Sequence, residues 1–378
     1  MFRKIAGAQA SKSLLAHARI PELDGIRAIA IWMVLIFHIF YGWVPVNHNF
    51  WPIPRSVMFV VAHGWLGVDL FFILSGFLIT GILLDSKVRP HYYRNFYAHR
   101  FLRIMPLYFA VVFVFFVFYS HYRQFLMLSI LFSGNLAYLF DAAVPHGPAV
   151  LWSLAVEEHF YLVWPILVRL LDRPMLTILS LSIIVLTPIA RGIAVAEGMP
   201  IDDTVYVYTW FRCDGLALGS LVAVWIRSSY ASPYNYYRFA GLLAGIAVVI
   251  TLAGVPFGLL QTRSVLGVAL RFTQAQLCFA SFILLSLRLQ GARLTAVLRT
   301  PVAHLSGSLS YCLYLIHFAV GDGYQSIVKD LGIKQSVLFG DLGTILVRGI
   351  FIILASFGIA LLSKKYLEEP FLRLKRFF

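Results

Sequence analysis

The 378-residue sequence has few charged residues and few cysteines. Charged residues make up 13% of it, whereas they make up about 25% of a soluble globular domain. So little charge excludes a cytosolic enzyme, a disordered protein and a nucleic-acid-binding protein. The three cysteines, Cys213, Cys278 and Cys312, lie far apart in apolar runs. They match neither a metal-ligand spacing nor a disulfide framework, and the sequence predicts no metal site.

Apolar residues, by contrast, make up 60% of the sequence, and the mean hydropathy is +0.81. At about 20 residues per membrane-spanning helix, this is enough for about ten spans. The sequence therefore predicts an all-α, polytopic membrane protein. The predicted spans cover residues 27–44, 57–84, 104–119, 151–171, 175–196, 205–226, 239–257, 266–287, 302–321 and 343–363. A shorter apolar stretch at 125–140 is more typical of a re-entrant or interfacial segment.

The distribution of basic residues predicts the topology. Lysine and arginine number 31, against 17 aspartates and glutamates, and basic residues of membrane proteins collect in cytoplasmic loops. Ten spans with a cytoplasmic N-terminus put most of these basic residues on the cytoplasmic side, whereas a further span at 125–140 would put most of them outside. We therefore predict a multi-pass protein of the inner (plasma) membrane with both termini cytoplasmic. Residues 1–26 form an N-terminal segment, 27–363 the transmembrane domain and 364–378 a basic tail.

Several ionisable side chains lie inside the predicted spans, where each costs about 2.5–3.5 kcal/mol to insert. Arg27 and His38 are eleven residues apart, close to three helical turns, so they share one face and lie about 16 Å apart along the axis. Because successive spans alternate in direction, further groups fall at the same outer-half depth. These are Asp69, Glu157, Glu158, Arg212, Asp214 and His317. Together they predict a polar cavity reached from the outer side.

The same residues also allow structural interpretations. The two glutamates at 157–158, with Arg212 and Asp214, either form an ion-pair lattice or take a direct part in catalysis. Asp69 and His317 are more typical of orienting or structural groups than of reactive ones. The spacing of these residues does not choose between the alternatives.

Arg100 and Arg103 stand at the start of the third predicted span. A basic loop over 85–103 is expected from topology alone. Topology does not require two arginines at positions i and i+3, which share one helical face. Two guanidinium groups that point the same way suit phosphate oxygens, so we interpret this pair as a phosphate-binding element.

The sequence resembles the acyltransferase family 3 membrane proteins. This family includes bacterial O-acetylases of lipopolysaccharide, exopolysaccharide and nodulation-factor sugars, and acylases of macrolide antibiotics. The resemblance begins with Leu23-Asp24-Gly25-Ile26-Arg27-Ala28 followed by His38. It continues in family order through residues 67–80, 100–106, 151–161, 212–215, 310–317 and 369–370. Because the sequence ends shortly after its last predicted span, we do not expect the hydrolase-like domain that some members carry at the C-terminus.

The resemblance implies an acyl-CoA donor, with acetyl-CoA as the family's usual form, and a hydroxyl acceptor at or beyond the outer side. His38 is then expected to act as general base on the acceptor hydroxyl or, in a variant mechanism, to carry the acyl group. Glu157, or otherwise Asp69 or Asp214, orients its imidazole. Arg27, Arg100 and Arg103 are the candidates for binding the donor phosphates. The candidates for the acceptor site are Ser75, Glu158, Arg212, Asp214, Tyr311 and His317.

Two other classes of function stay open at this stage. A secondary transporter or flippase also has broken helices and charges near the membrane midplane. An acyl shuttle would move the acyl group across the membrane and leave the final transfer to a separate protein. In the preferred interpretation the partners are acyl-CoA, a glycan or other hydroxyl acceptor and membrane lipid, with no nucleic acid. The sequence leaves the acceptor and the oligomeric state open.

Overall fold

The structure is a computed structural model that describes residues 20–44, 50–261, 263–333 and 335–378. Within these ranges every regular element is helical and there is no β-strand. The predicted all-α class of a polytopic membrane protein is therefore confirmed. Most of the predicted N-terminal segment, residues 1–19, lies outside the described residues.

We number the α-helices of the described part α1 to α13 in chain order. They are α1 Pro21–Tyr41, α2 Arg55–Ala62, α3 Gly67–Ser86, α4 Tyr92–Phe118, α5 Arg123–Ile130, α6 Leu151–Leu170, α7 Arg173–Ala196, α8 Thr209–Ile226, α9 Pro233–Gly254, α10 Val265–Arg288, α11 Pro301–Asp330, α12 Gln335–Ser363 and α13 Glu369–Arg373. Short 3-10 and π-helical turns connect several of them.

Each of the ten predicted spans overlaps helical structure with somewhat different bounds, and the span predicted at 57–84 is divided into α2, a 3-10 turn at Gly64–Leu66 and α3. In the part of the chain that the structure describes, seven segments are long and apolar enough to cross a membrane: Pro21–Tyr41, Arg55–Ser86, Tyr92–Phe118, Arg173–Ala196, Pro233–Phe257, Val265–Arg288 and Asp341–Phe377. The other three long helices are α6, α8 and α11, which carry many of the predicted site residues. Ionisable side chains within α6, α8 and α11 lower the mean hydropathy of these three helices. The span count and the side of each terminus remain predictions.

The stretch at 125–140 does not form one helix. It consists of α5 and a 3-10 helix, Gly134–Phe140, separated by a turn in which Phe132 has a φ of 54°. An eight-residue α-helix is about 12 Å long, far short of a hydrocarbon core of about 30 Å. The segment is therefore not a single transmembrane helix, as predicted, and its re-entrant position remains a prediction.

Polar caps begin several of the long helices, close to the predicted start for α7 and α10 and seven residues before it for α9. Asp172 accepts a hydrogen bond from the amide of Met175 at the start of α7. Ser232 and Ser264 accept from the amides three residues ahead in α9 and α10. Such caps satisfy backbone donors that the first helical turn leaves over.

The described chain separates into two compact units. Unit 1 comprises the described residues up to Arg27 and those within Asp69–Tyr93 and Ser153–His304, and unit 2 comprises those within Ala28–Val68, Arg94–Trp152 and Leu305–Phe378. In unit 1, α3 and α8 approach closely, because a Cβ atom on Gly76 or Gly219 would overlap the other helix's backbone. Small residues at helix crossings are typical of membrane proteins. In unit 2, the segment predicted as a tail is helical from Lys364 to Phe377, and Lys364 Nζ donates to Ser308 Oγ at 3.1 Å.

Candidate functional site

His38 and His317 form a hydrogen-bonded pair in unit 2. His38 lies in the last turn of α1, His317 lies in α11, and His38 Nδ1 is 2.8 Å from His317 Nε2. His317 is fully buried, whereas His38 is half-buried. The hydrogen-bond partner of His38 Nδ1 is thus His317. The sequence analysis had named the carboxylates of Glu157, Asp69 and Asp214 as candidates for this position.

The backbone around His317 fixes the proton positions on both rings. His317 Nδ1 lies 3.0 Å from the carbonyl oxygen of Leu313 and 2.9 Å from that of Tyr314. A carbonyl oxygen only accepts, so His317 Nδ1 carries the proton and Nε2 of the neutral ring accepts. We therefore assign His38 Nδ1–H as the donor to His317 Nε2. In neutral His38 the lone pair then lies on Nε2, where a general base needs it.

Aromatic rings hold His38 from two sides. The Phe318 ring stacks on the imidazole with the centroids 4.4 Å apart, and the Phe37 ring lies 5.2 Å away in a tilted orientation. These contacts oppose rotation of the imidazole. With the bond to His317, they give His38 a fixed orientation.

A second polar network in unit 2 is centred on Asp322, five residues beyond His317. Asp322 accepts hydrogen bonds from Trp43 Nε1 at 2.9 Å, Tyr119 O–H at 2.8 Å and His146 Nδ1 at 2.7 Å. The sequence analysis missed both Asp322 and His146. Both fall just outside the predicted spans. An ionisable residue there costs little to insert, so the sequence analysis had no reason to select it. The signal available was their residue type alone.

Unit 1 contains a fully buried ion-pair lattice. Arg212 donates to Asp69 Oδ2 at 3.0 Å, and Arg191 lies 2.8 Å from Asp214 Oδ2. Gln276 donates to both carboxylates, at 2.9 Å to Asp69 and 3.2 Å to Asp214. All four ionisable side chains have no exposed surface. Two cations and two anions therefore neutralise one another inside the unit.

The sequence analysis named three members of this lattice and missed the fourth. Arg191 was detectable as a charged residue inside the apolar stretch 175–196. Its guanidinium group also donates to the carbonyl oxygens of Ala269 and Phe211 and to Thr273. Such dense bonding is what a buried charge requires.

A hydroxyl chain in unit 1 connects two further predicted residues. Tyr161 O–H donates to Glu157 Oε2 at 2.7 Å, and the hydroxyl group of Tyr161 is also hydrogen-bonded to Ser75. Glu157, Glu158 and Ser75 are all half-buried. The structure thus joins Ser75 to Glu157 through Tyr161, a residue that the sequence analysis did not single out.

Arg27, a predicted donor-binding residue, has an ion-pair partner within its own helix. Its NH1 donates to Asp24 Oδ1 at 2.6 Å, one turn earlier in α1. Gly25 between them packs against the backbone of Leu298, and a Cβ atom there would overlap Leu298. Residues 24–27 of the opening motif therefore also have a structural role within unit 1.

Arg100 and Arg103, which lie in the first half of α4, belong to a larger basic cluster in unit 2. The charges of Arg100 and Arg103 interact with that of Lys375 in the C-terminal segment. Glu368 interacts with Arg103 as the acidic member. Tyr311, a predicted acceptor-site residue, donates instead to the carbonyl oxygen of Ile104 at 2.9 Å. It thereby connects α11 to the middle of α4.

Comparisons with known proteins agree on one family. The family model described as an acyltransferase domain, that of acyltransferase family 3, matches residues 20–364. The peptidoglycan O-acetyltransferase OatA of Listeria monocytogenes is 26% identical, over 93% of this chain and 55% of its own length. The O-acetyltransferase OatA of Staphylococcus aureus is 27% identical, over 62% and 40%. The putative peptidoglycan O-acetyltransferase YrhL of Bacillus subtilis is 31% identical, over 39% and 24%.

The chain spans about half the length of the Listeria relative and less of the other two. No solved structure matches the chain. The family model, by contrast, covers most of the sequence, from the start of α1 to the end of α12. The chain therefore belongs to the acyltransferase 3 family of membrane proteins.

Proposed function

We propose that this protein is an integral-membrane O-acyltransferase. It transfers an acyl group, in the simplest case acetyl, from cytoplasmic acyl-CoA to a hydroxyl group of a cell-envelope glycan. The observation that carries the proposal is the hydrogen-bond chain through His317 to His38, which prepares Nε2 of His38 as a base. Family membership supports the reaction class. The names of the relatives favour acetyl as the acyl group and peptidoglycan as one glycan to test.

In this mechanism His38 Nε2 accepts the proton of the acceptor hydroxyl group while the hydroxyl oxygen attacks the thioester carbonyl carbon. The carbon–sulfur bond then breaks, and the proton passes from His38 to the CoA thiolate. The products are an ester and CoA thiol. A positioned base contributes about 10²–10⁴-fold to such a rate. Direct attack of Nε2 on the thioester, which would form acyl-His38, uses the same lone pair.

We assign His317 a positioning role in place of acceptor binding. Both of its ring nitrogens are hydrogen-bonded within the protein, and its side chain has no exposed surface. A ring in this state offers a substrate neither a donor nor a surface. It can, however, hold the proton of His38 on Nδ1 through the catalytic cycle.

For the donor we propose that Arg100, Arg103 and Lys375 bind the phosphates of CoA. Guanidinium groups bind phosphate oxygens in pairs, and the ammonium group adds a point charge. Tyr311 holds α4 against α11 at Ile104, next to Arg103, and His317 lies six residues, about 9 Å of helix, beyond Tyr311. A donor anchored at the phosphates must therefore extend along α11 to reach His38, as the pantetheine arm of CoA allows. Arg27 remains a further candidate for phosphate binding.

For the acceptor we propose the polar side chains of unit 1 that are half-buried: Ser75, Glu157 and Glu158. Carboxylate and hydroxyl groups are suitable hydrogen-bond partners for sugar hydroxyls. We assign the buried lattice of Asp69, Arg212 and Asp214 a structural role, because its charges are already neutralised within the fold. We further propose that the protein lies in the inner (plasma) membrane with both termini cytoplasmic, in accord with its basic residues.

The test uses purified protein, radiolabelled acetyl-CoA and a panel of glycans that includes peptidoglycan fragments. We expect labelled glycan and released CoA from the wild type and a loss of about 10²–10⁴-fold in His38→Ala. The matched control is His63→Ala, which removes an exposed histidine of unit 2. Label on the protein alone would favour the acyl shuttle. Absence of any label transfer would favour the transporter class. Near-normal turnover by His38→Ala would refute the mechanism.

A further inference from the structure

His146 in unit 2 has an unusual pair of hydrogen-bond partners. Its Nδ1 lies 2.7 Å from Asp322 Oδ1, and its Nε2 lies 2.9 Å from the carbonyl oxygen of Gly42. A carboxylate and a carbonyl group are both acceptors. Neutral imidazole has one N–H and can satisfy only one of them. Both bonds form together only when the ring is an imidazolium ion with two N–H donors.

The two bonds connect His146 to both helices of the His38–His317 pair. The amide of Gly42 donates to the His38 carbonyl oxygen at 2.8 Å and closes the last turn of α1. On the other side, Asp322 belongs to α11, five residues beyond His317. The Phe318 ring contacts both imidazoles, with its centroid 4.4 Å from that of His38 and 4.2 Å from that of His146. His146 is therefore bonded both to the end of α1 and to α11, close to the point where the histidine pair forms.

The backbone is shaped to admit this network. A Cβ atom on Gly147 would overlap the Tyr119 hydroxyl group and crowd the Asp322 carboxylate. A Cβ atom on Gly321 would overlap the Trp43 ring, whose Nε1 also donates to Asp322. Glycine at both positions lets three separate segments converge on one carboxylate. This close convergence is what a fixed junction between helix ends requires.

We propose that His146, as an imidazolium ion, is a positioning residue that pins the end of α1 to α11 and so holds His38 against His317. When His146 loses its proton, one of the two bonds is lost and the histidine pair loosens. The activity part of this inference rests on the proposed function. The protonation state of His146 can be tested without it.

The charged and titratable groups around His146 support this state. The hydrogen bond to Asp322 is the largest cause that raises the pKa of His146, partial burial opposes it, and the charge of Asp322 and the Gly42 carbonyl add to the rise. Burial, with the negative charge of Asp322, raises the pKa of Tyr119, so that it remains a neutral donor. His38 is the other titratable group that interacts with His146. A group with a raised pKa in the folded state stabilises the fold below its unfolded pKa and loses this contribution as pH rises through the folded pKa.

The first measurement is therefore the thermal midpoint, Tm, of wild type and His146→Ala across a pH series. We expect the Tm difference to be largest at acidic pH, where the imidazolium ion makes both bonds, and to shrink as pH rises through the raised pKa of His146. A smaller difference remains at alkaline pH, because the neutral ring keeps one bond and its contact with Phe318. The matched control is His63→Ala. His63 Nδ1 bonds one carbonyl oxygen, that of Phe59, which a neutral ring can satisfy. A Tm difference for His146→Ala that does not change with pH would overturn the inference, whether or not the protein transfers acyl groups.

The second measurement is the pH profile of acyl transfer. Asp322→Asn keeps an acceptor oxygen for His146 but removes the charge, so the alkaline loss of kcat should move to lower pH while the KM for acyl-CoA stays the same. His146→Ala should lower kcat at acidic pH and abolish the alkaline loss. A role in folding alone would lower activity equally at every pH. An unchanged alkaline limb in Asp322→Asn would overturn the positioning role, and absence of transfer by the wild type would refute only the proposed function.

Discussion

Replacing His317 by alanine removes the acceptor that keeps the proton of His38 on Nδ1. The bond between the rings is 2.8 Å long, and a hydrogen bond of this kind contributes about 0.5–1.5 kcal/mol net. That free energy corresponds to about a 2- to 12-fold change in the preference for one tautomer. His38 would then spend more time with its proton on Nε2, where the lone pair is needed. We therefore expect kcat to fall by at most about 2- to 12-fold, far less than in His38→Ala.

The assay is steady-state release of CoA from acyl-CoA in the presence of an acceptor glycan. His317→Gln is the conservative control, because its amide can accept from His38 through oxygen and donate to a backbone carbonyl through nitrogen. We expect this variant to recover most of kcat and both variants to keep the KM for acyl-CoA, with thermal melts to verify that each is folded. A loss in His317→Ala as large as in His38→Ala would show a direct chemical role. Unchanged kcat in His317→Ala would refute the tautomer argument.

Two further predictions concern the buried lattice and the basic cluster. Asp69→Asn should lower the free energy of unfolding by about 3–5 kcal/mol, because Arg212 keeps its charge without the buried counter-charge. The double variant Asp69→Leu/Arg212→Met should recover much of that loss, and thermal melts that show no difference between single and double variants would contradict the lattice. Arg100→Gln/Arg103→Gln should raise the KM for acyl-CoA with little change in kcat. The control is Arg94→Gln, which should leave the KM unchanged, because the guanidinium group of Arg94 packs on Phe378. An unchanged KM in the double variant would exclude the proposed phosphate site.

The sequence predicted the helices better than their ends. The ten predicted spans are helical, because an unsatisfied backbone group in hydrocarbon costs several kcal/mol, whereas the stretch at 125–140 is divided into α5 and a 3-10 helix. The span predicted at 27–44 is instead the helix Pro21–Tyr41. Its first turn contains Glu22 and Asp24, which reduce hydropathy but stabilise a helix N-terminus. Glu22 also accepts from the amide of Gly291, a contact that hydropathy does not encode.

The residues of the site were easier to predict than their partners. His38, Asp69 and Arg212 were detectable because each places a costly group inside an apolar run. Spacing along one helix, however, indicates only which side chains share a face. Which helices become neighbours depends on packing at positions such as Gly76 and Gly219, where the absence of a Cβ atom lets two backbones approach. Hence the sequence suggested carboxylates for His38, and the fold provides a histidine.

Counting donors and acceptors separates the buried polar groups of this protein by what they can do. In the lattice of unit 1, each charge is offset by another, so the group stabilises the fold without offering a reactive atom. In His317, both nitrogens bond to the protein, so the ring can orient a neighbour but cannot exchange a proton with a substrate. In His38, Nδ1 donates its proton to His317, so Nε2 of this half-buried ring keeps a lone pair. Proton transfer requires that combination of a fixed orientation, an available lone pair and partial access, and this is why we place the chemistry at His38.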